Sequence, residues 1–352
     1  MVLTCQIKLL PTKEQAMILE KTLSEYISLV NDIVDYAIAV GRMPKLSSAS
    51  VHAPLPSALR DQCRLDAKSV YKKSFKEGKC PVLRKPVAYW NNQNYKFGDD
   101  FVKLPVWLSG ICKQISIRAE ITAEQLKLLK SSKLGSLRVL KRNGKWIAQA
   151  AYKRTETPRE GVGTMGIDLG LKCPAVSVSD SGKIKFFGNG RHNKYVRRYH
   201  SNRRKKLGKT KKLCAIRKLK DKESRWMKDQ DHKISRSIIN YASANHIGVI
   251  KLEQLAGIRA SARKSRKNNH SLHGWSFYRL AQFIEYKAAL AGIQVEYVDP
   301  KYTSQRCPEC GKHNHAKDRA YRCSCGYHGH RDLVGARNIL VSPAVDGHSL
   351  PA

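Results

Sequence analysis

Four cysteines toward the C-terminal end set the tightest constraint on how this chain can fold. Cys307-Pro-Glu-Cys310-Gly and Cys323-Ser-Cys325-Gly form two short thiol pairs separated by 12 residues. Two such pairs on adjacent turns supply the tetrahedral sulfur shell of a structural zinc site. A shell closed by four protein ligands leaves no open position for catalysis, so one Zn2+ here is structural. The second pair is C-x-C rather than C-x-x-C, which leaves the fourth ligand open between Cys325 and the nearby His328 or His330. The other six cysteines, Cys5, Cys63, Cys80, Cys112, Cys173 and Cys214, are scattered through a chain of 352 residues. A secreted disulfide framework would spread pairs through a short chain. One tight cluster in a large, lysine-rich chain points instead to a reducing cytosol and a metal.

Charge decides the class of partner. The chain carries 66 Lys+Arg against 28 Asp+Glu, a formal net charge of +38. A surplus of this size argues against a neutral or cationic small molecule as main partner and selects a polyanion held through its phosphates. With 41% hydrophobic residues the chain is not a disordered basic tail. No apolar run reaches about 18 residues, and MVLTCQIKLLPTKEQ lacks the apolar core and cleavage site of a signal peptide. The expected partners are therefore nucleic acids, with no membrane, and the expected location is cytoplasmic.

Periodicity divides the chain. Residues 1–10 alternate as a strand, with Leu3, Cys5, Ile7 and Leu9 on one face. Thr12 caps a helix whose apolar residues, Ile18, Leu19, Leu23, Tyr26, Ile27, Val30 and Ile33, recur at helical spacing. A second helix is expected over 58–74, which makes 13–95 a mainly helical unit. Strands follow at 114–118, 135–141 and 145–152, the last two joined through Asn143-Gly144, a strong hairpin signal. The first strand can join this sheet, so the helical unit reads as an insertion in a β-rich domain. A linker from Thr157 to Gly163 leads to a three-strand meander over 164–187. A helix rich in Ile, a strand at 247–252, a basic loop at 259–270, a helix at 275–291, a strand at 293–298 and a final helix at 333–341 complete the pattern.

Three carboxylates stand out on this frame. Asp168 in TMGIDLG shares its strand face with Gly166 and Gly170, so backbone or phosphate can approach it closely. Glu253 ends the apolar strand IGVIKL, and Asp332 lies immediately before the final helix. Each alone reads as a solvated acid or a helix cap. Together, a meander bearing an Asp, a later strand ending in Glu and a helix starting with Asp resemble the layout of RNase H-like nucleases. There such acids hold two divalent ions, one activating water and the other stabilising the leaving oxygen; hard Mg2+ suits carboxylate oxygens.

Residues 191–235 hold 18 Lys/Arg against 4 Asp/Glu, a net +14 that is too one-signed to sit comfortably without a polyanion. Tyr195, Tyr199 and Trp226 within it read first as helix-packing residues and second as base-stacking ones. Tyr89, Trp90, Tyr95 and Phe97 read equally as a surface for unpaired bases or as a small β core.

GIDLG, the strand into Glu253, WSFYRLAQFIEYKAALAGIQVEYVDPKYTSQRCPECG and CGYHGHRDLVGARNIL resemble the TnpB family of compact insertion-sequence nucleases, related to type V CRISPR effectors. The likeness extends over essentially the whole chain, including KLLPTKEQ. It implies a multidomain α+β fold: a β-rich wedge domain (1–12 plus 96–157) and an inserted helical recognition lobe (13–95). Beyond these it implies an RNase H-like (RuvC) α/β nuclease domain (158–302 plus 327–345) with an inserted zinc ribbon (303–326). It also implies an RNA-guided DNA endonuclease that uses a guide RNA made from the transposon end. Its three acids fall on Asp168, Glu253 and Asp332, which would bind two Mg2+ ions, while Cys307, Cys310, Cys323 and Cys325 would bind one Zn2+. The partners implied are guide RNA and target DNA, in a prokaryotic, nucleoid-associated setting. A nuclease-inactive RNA-guided repressor and a compact type V CRISPR effector are the alternatives.

Overall fold

The computed structural model describes residues 1–78, 81–154, 161–255, 276–316 and 318–345. The basic loop at 259–270 and most of the 157–163 linker lie outside the described residues. The chain is multidomain and mixes helices with sheets, forming two compact units, Met1–Thr155 and Glu156–Ala352.

The first unit is a seven-stranded antiparallel sheet carrying a helical hairpin. Strand β1 (Val2–Leu9) buries Cys5, Ile7 and Leu9 by alternation. Helix α1 (Lys13–Val40) starts at a capping box in which Thr12 Oγ1 accepts from the Gln15 N–H and the Gln15 side chain accepts from the Thr12 N–H. It stops at Gly41, whose φ of 73° is the left-handed cap that glycine adopts without strain. Its buried stripe of Leu19, Leu23, Tyr26, Ile27, Val30, Ile33 and Val34 faces helix α2 (Ser57–Glu77) and the sheet in one continuous core. Six further strands follow: β2 (Val87–Trp90), β3 (Lys96–Phe97), β4 (Phe101–Leu108), β5 (Ile111–Glu120), β6 (Lys133–Arg142) and β7 (Lys145–Lys153). Helix α3 (Ala123–Ser131) lies between β5 and β6.

The strand order is β2-β6-β7-β1-β5-β4-β3, which places β1 near the centre, between β7 and β5. Strand β2 lies inside the 13–95 stretch expected to be mainly helical, yet it pairs with β6. The VAYW segment is aromatic and β-branched, and Trp90 is fully buried with its indole N–H on the Pro105 carbonyl at 3.0 Å. Tyr95 is also buried, while Tyr89 and Phe97 pack against the same core. This aromatic cluster is therefore core rather than a surface that reads bases.

The second unit is built on a five-stranded sheet in the order β10-β9-β8-β11-β12. Strands β8 (Gly163–Asp168), β9 (Ala175–Ser179) and β10 (Ile184–Phe187) form the antiparallel meander. Strands β11 (Ile247–Glu253) and β12 (Gln294–Val298) run parallel to β8. Between β10 and β11 come the helices α4 (Gly190–Lys209), α5 (Leu213–Leu219) and α6 (Lys222–Ala244); helix α7 (Phe277–Leu290) precedes β12.

One face of this sheet, with Met165, Ile167 and Leu169, packs against Ile234, Ile238 and Ile239 of α6 and Leu280 and Ile284 of α7. Burying each Leu or Ile side chain fully contributes about 1.5–3 kcal/mol. The other face receives helix α8 (Arg331–Val341). A Cβ on Gly166 would lie 2.4 Å from the Ala336 carbonyl oxygen, so helix and strand meet here backbone to backbone. A two-stranded hairpin, β13 (Ala320–Arg322) with β14 (His328–His330), leads directly into α8. The hairpin thus runs past residue 326 to the start of the last helix.

Candidate active site and metal centre

Asp168 is the last residue of β8 and points to the α8 side of the sheet, beside Gly166. Glu253 is the last residue of β11, whose register sets Leu252 opposite Ile167. Parallel pairing therefore delivers both carboxylates to the same end of neighbouring strands. Asp332 sits one residue inside α8, in its first turn, rather than just before the helix. His330 is the cap instead: its ring Nδ1 accepts from the Asp332 N–H at 3.3 Å.

The electrostatics show that the three groups share one locality. Burial raises the Asp168 carboxyl well above the ordinary carboxylate range, and the negative charges of Glu253 and Asp332 raise it further. Arg319 and Arg331 act in the opposite sense. Burial also raises Glu253, against a hydrogen bond that the Thr303 hydroxyl donates to its Oε1. Asp332 Oδ1 is paired with Arg319, while its Oδ2 is buried with no hydrogen-bond partner among the described residues. A buried acceptor without a donor is costly, and raised carboxyls crowded on one another are what a divalent cation relieves. The residues present therefore fit divalent ions.

Four neighbours that sequence reasoning missed tie this site to the cysteine segment. Arg319, just ahead of β13, clamps Asp332. Thr303 holds Glu253, and Asn338 of α8 donates to the carbonyls of Thr303 at 2.6 Å and Arg306 at 2.7 Å. Arg331 reaches Ser304 at 3.4 Å. None lies in a spacing pattern of its own, and each acts on a partner in another element.

The four cysteines converge more tightly. One ligand atom from each of Cys307, Cys310, Cys323 and Cys325 lies within 4.8 Å of all the others, the one such metal-type group among the described residues. The sulfurs of Cys307 and Cys325 are 3.7 Å apart and those of Cys310 and Cys323 3.5 Å. A tetrahedron with Zn–S bonds of about 2.3 Å has edges of about 3.8 Å, so the set fits one zinc-sized ion. Cys325 therefore completes the group. His330 is engaged elsewhere, capping α8 and meeting Phe186 edge to face at 5.5 Å.

In the basic stretch, Tyr195 and Tyr199 are 56% and 49% exposed on α4, so they do not serve helix packing. Trp226 is half-buried, with the His192 ring 5.2 Å away.

The family model Cas12f1-like, TNB domain, matches residues 277–339, the stretch that holds α7, the four cysteines and Asp332. A TnpB-like protein of Methanocaldococcus jannaschii is 30% identical over 265 residues, which cover 70% of this chain and 92% of that protein. The chain belongs to the TnpB family. The CRISPR-associated endodeoxyribonuclease Cas12f1 of Sulfoacidibacillus thermotolerans is 33% identical over 200 residues, or 52% of this chain. The match spans 46% of that nuclease, so this TnpB-family chain covers about half the length of its Cas12f1 relative. The fold is also that of Cas12f1 in a solved Cas12f1–sgRNA–target DNA complex. The TM-score is 0.70 at 17% identity, over 93% of this chain and 83% of that one. Among the described residues no helix is long and apolar enough to cross a membrane.

Proposed function

We propose that this TnpB-family protein is an RNA-guided DNA endonuclease that hydrolyses phosphodiester bonds at a RuvC-type site formed by Asp168, Glu253 and Asp332. The observation that carries this reading is the convergence of three charge-coupled carboxylates at one end of the β8–β11 strand pair and the start of α8. The strand order, an antiparallel meander followed by two parallel strands, supports an RNase H-like domain. The named activity of the Cas12f1 relative supports a DNA substrate.

Asp168, Glu253 and Asp332 would hold two Mg2+ ions, which supply an activated water and charge neutralisation at the leaving oxygen. The chain's own groups prepare the site. Thr303 orients Glu253 and favours its ionised form. Arg319 holds one oxygen of Asp332, and the other has no hydrogen-bond partner among the described residues. The absence of side chains at Gly166 and Gly335 lets α8 approach Asp168. One Zn2+ on Cys307, Cys310, Cys323 and Cys325 would be structural, fixing the hairpin that carries the chain into α8. Guide RNA pairing would select the target, while the protein binds the backbone and shape of the hybrid. The wedge (1–12 plus 96–157), helical lobe (13–95), nuclease (158–302 plus 327–345) and ribbon (303–326) segments are the corresponding functional parts, in a prokaryotic cytoplasm.

The test is to purify the protein, sequence the RNA that accompanies it and challenge the complex with a DNA library of randomised flanks. Metal-dependent cuts beside one flanking motif are expected. Asp168→Ala should retain the RNA and lose the cuts; cleavage by that variant would overturn the site.

A further inference from the structure

A groove of about 770 Å3 in the second unit remains unused by the reaction above. Its walls come from β10, α6 and α7, and no Asp or Glu lines it. Four cationic side chains do: Lys185, Lys233, Arg236 and Lys287. Along α6 the lining recurs from 232 to 244 at helical spacing, a continuous face of about 18 Å.

The groove lies on the sheet face opposite to Asp168. Phe186 of β10 contacts His330 on the α8 side, and its neighbours Lys185 and Phe187 turn to the α6 side. There the Lys185 ammonium sits 4.7 Å from the centre of the Tyr241 ring. Lys287 is 3% exposed, and its ammonium donates to the His232 carbonyl at 2.7 Å and the Ser235 hydroxyl at 2.6 Å. That uses two of its three N–H groups. Burial, and then the facing charge of Arg236, push its pKa down to about 8. The positive charges here oppose one another. Lys233 pairs with Asp229, an exposed ion pair one turn away that contributes little.

We propose that this groove binds the phosphates of an unpaired nucleic-acid strand, with Lys185, Lys233 and Arg236 as cationic contacts, the buried Lys287 adding positive charge from beneath, and Tyr241 and Tyr286 as stacking surfaces. The tyrosine rings select a single strand. A duplex meets a protein along a broad surface, whereas a groove with half-buried rings admits bases one strand at a time. An anionic lipid surface offers no bases to stack on the rings. The proposal concerns a strand on the face away from the acids and does not depend on which bond is cut.

The test uses the full chain, stripped of co-purifying nucleic acid, and labelled DNA and RNA oligomers, unpaired or as duplexes. Anisotropy titrations over a range of salt compare the parent with the Lys233→Ala/Arg236→Ala double variant. Both residues are exposed, and melting curves check that the fold is intact. Loss of two single-strand phosphate contacts lowers the slope of log K on log salt by about 1.4, at ~0.7 per phosphate. The expected result is this change with an unpaired oligomer and an unaltered slope with the duplexes. A loss confined to DNA or to RNA supports the groove and names its strand. An equal change with duplex and single strand, or no change with either, overturns it. Activity of the Asp168→Ala variant is irrelevant to these readouts, so failure of the nuclease assignment and failure of the groove are separable.

Discussion

Cys307 and Cys325 stand 18 residues apart in the chain, whereas Asp168 and Asp332 are separated by 164. Both pairs belong to metal-type sites of the same unit. The cysteines, two ahead of the short hairpin and two within its turn, close to within 4.8 Å of one another around a small core, with Tyr321 and Val334 beside the sulfurs. The carboxylates are placed by a large core, through strand ends and a helix start, and they meet by charge rather than in one compact ligand shell. On the proposed reading, the local site would depend on its metal to hold the fold, whereas the dispersed site would depend on the fold to hold its metals. Damage to the acids should therefore spare stability, and damage to the cysteines should not.

Asp168→Asn makes the sharpest separation. Cleavage should fall by about 10^4-fold or more, the scale typical for loss of a central catalytic group. Without divalent ions the same variant should melt higher, because one of three mutually repelling acids has gone. The sign follows from linkage. The Asp168 and Glu253 carboxyls are raised in the folded state, so the metal-free fold holds protons that the unfolded chain releases. Its stability therefore falls as pH rises from the ordinary carboxylate range through the raised values. Asp168→Asn should flatten that dependence in calorimetric melts, and Mg2+ should stabilise the parent but not the variant. A lower melting temperature without metal would refute the idea of stored repulsion.

Cys307→Ser is the opposing case and should remove zinc, stability and activity together. A loss of a few kcal/mol is expected, since ligand binding in such sites is folding energy. Cleavage should fall in step, because the hairpin delivers Arg319 and Asp332. Exposed Cys214→Ser should leave all three unchanged. Elemental analysis and melting curves decide it: full stability without zinc would break the contrast.

The difference between the two sites also explains what was legible in the sequence. Cysteine spacing pointed to its site with only the fourth ligand left open, because ligand, turn and partner lie within one short segment. The acids were singled out through the strand and helix pattern and the family resemblance, which together supply the long-range geometry that spacing cannot. Arg319, Thr303 and Asn338 escaped because each acts through a partner on another element and carries no periodic signal. In the first unit, β1 and α1 followed from alternation and from the cap at Thr12. Pro105 lies inside strand β4, and the sheet tolerates it because the short β3 leaves that part of β4 at an edge. The aromatics of VAYW were ambiguous until their neighbours showed a core.

Thr303→Val tests the seam between the two sites. Thr303 stands at the start of the cysteine segment and favours ionised Glu253. Removing its hydroxyl should raise the Glu253 carboxyl further and move the acid limb of the cleavage profile to higher pH. Rate at high pH should recover most of its parent value. A uniform loss at every pH would mean that Thr303 is only a packing residue.

The smallest change sits where helix and strand nearly touch. A Cβ on Gly335 would lie 3.1 Å from Asp168 Oδ2 and 3.2 Å from its Cγ, so the carboxylate must shift by a few tenths of an ångström. Alanine is also the better helix former by about 1 kcal/mol. Gly335→Ala should therefore leave stability within about 1 kcal/mol of the parent, while cleavage drops by about tenfold because reacting groups tolerate little misplacement. Kinetics at saturating Mg2+, set beside a melting curve, measure both. Parent-like cleavage would show that the dispersed carboxylates have slack. A tenfold loss on an intact fold would show that position alone, with every acid still present, limits this site.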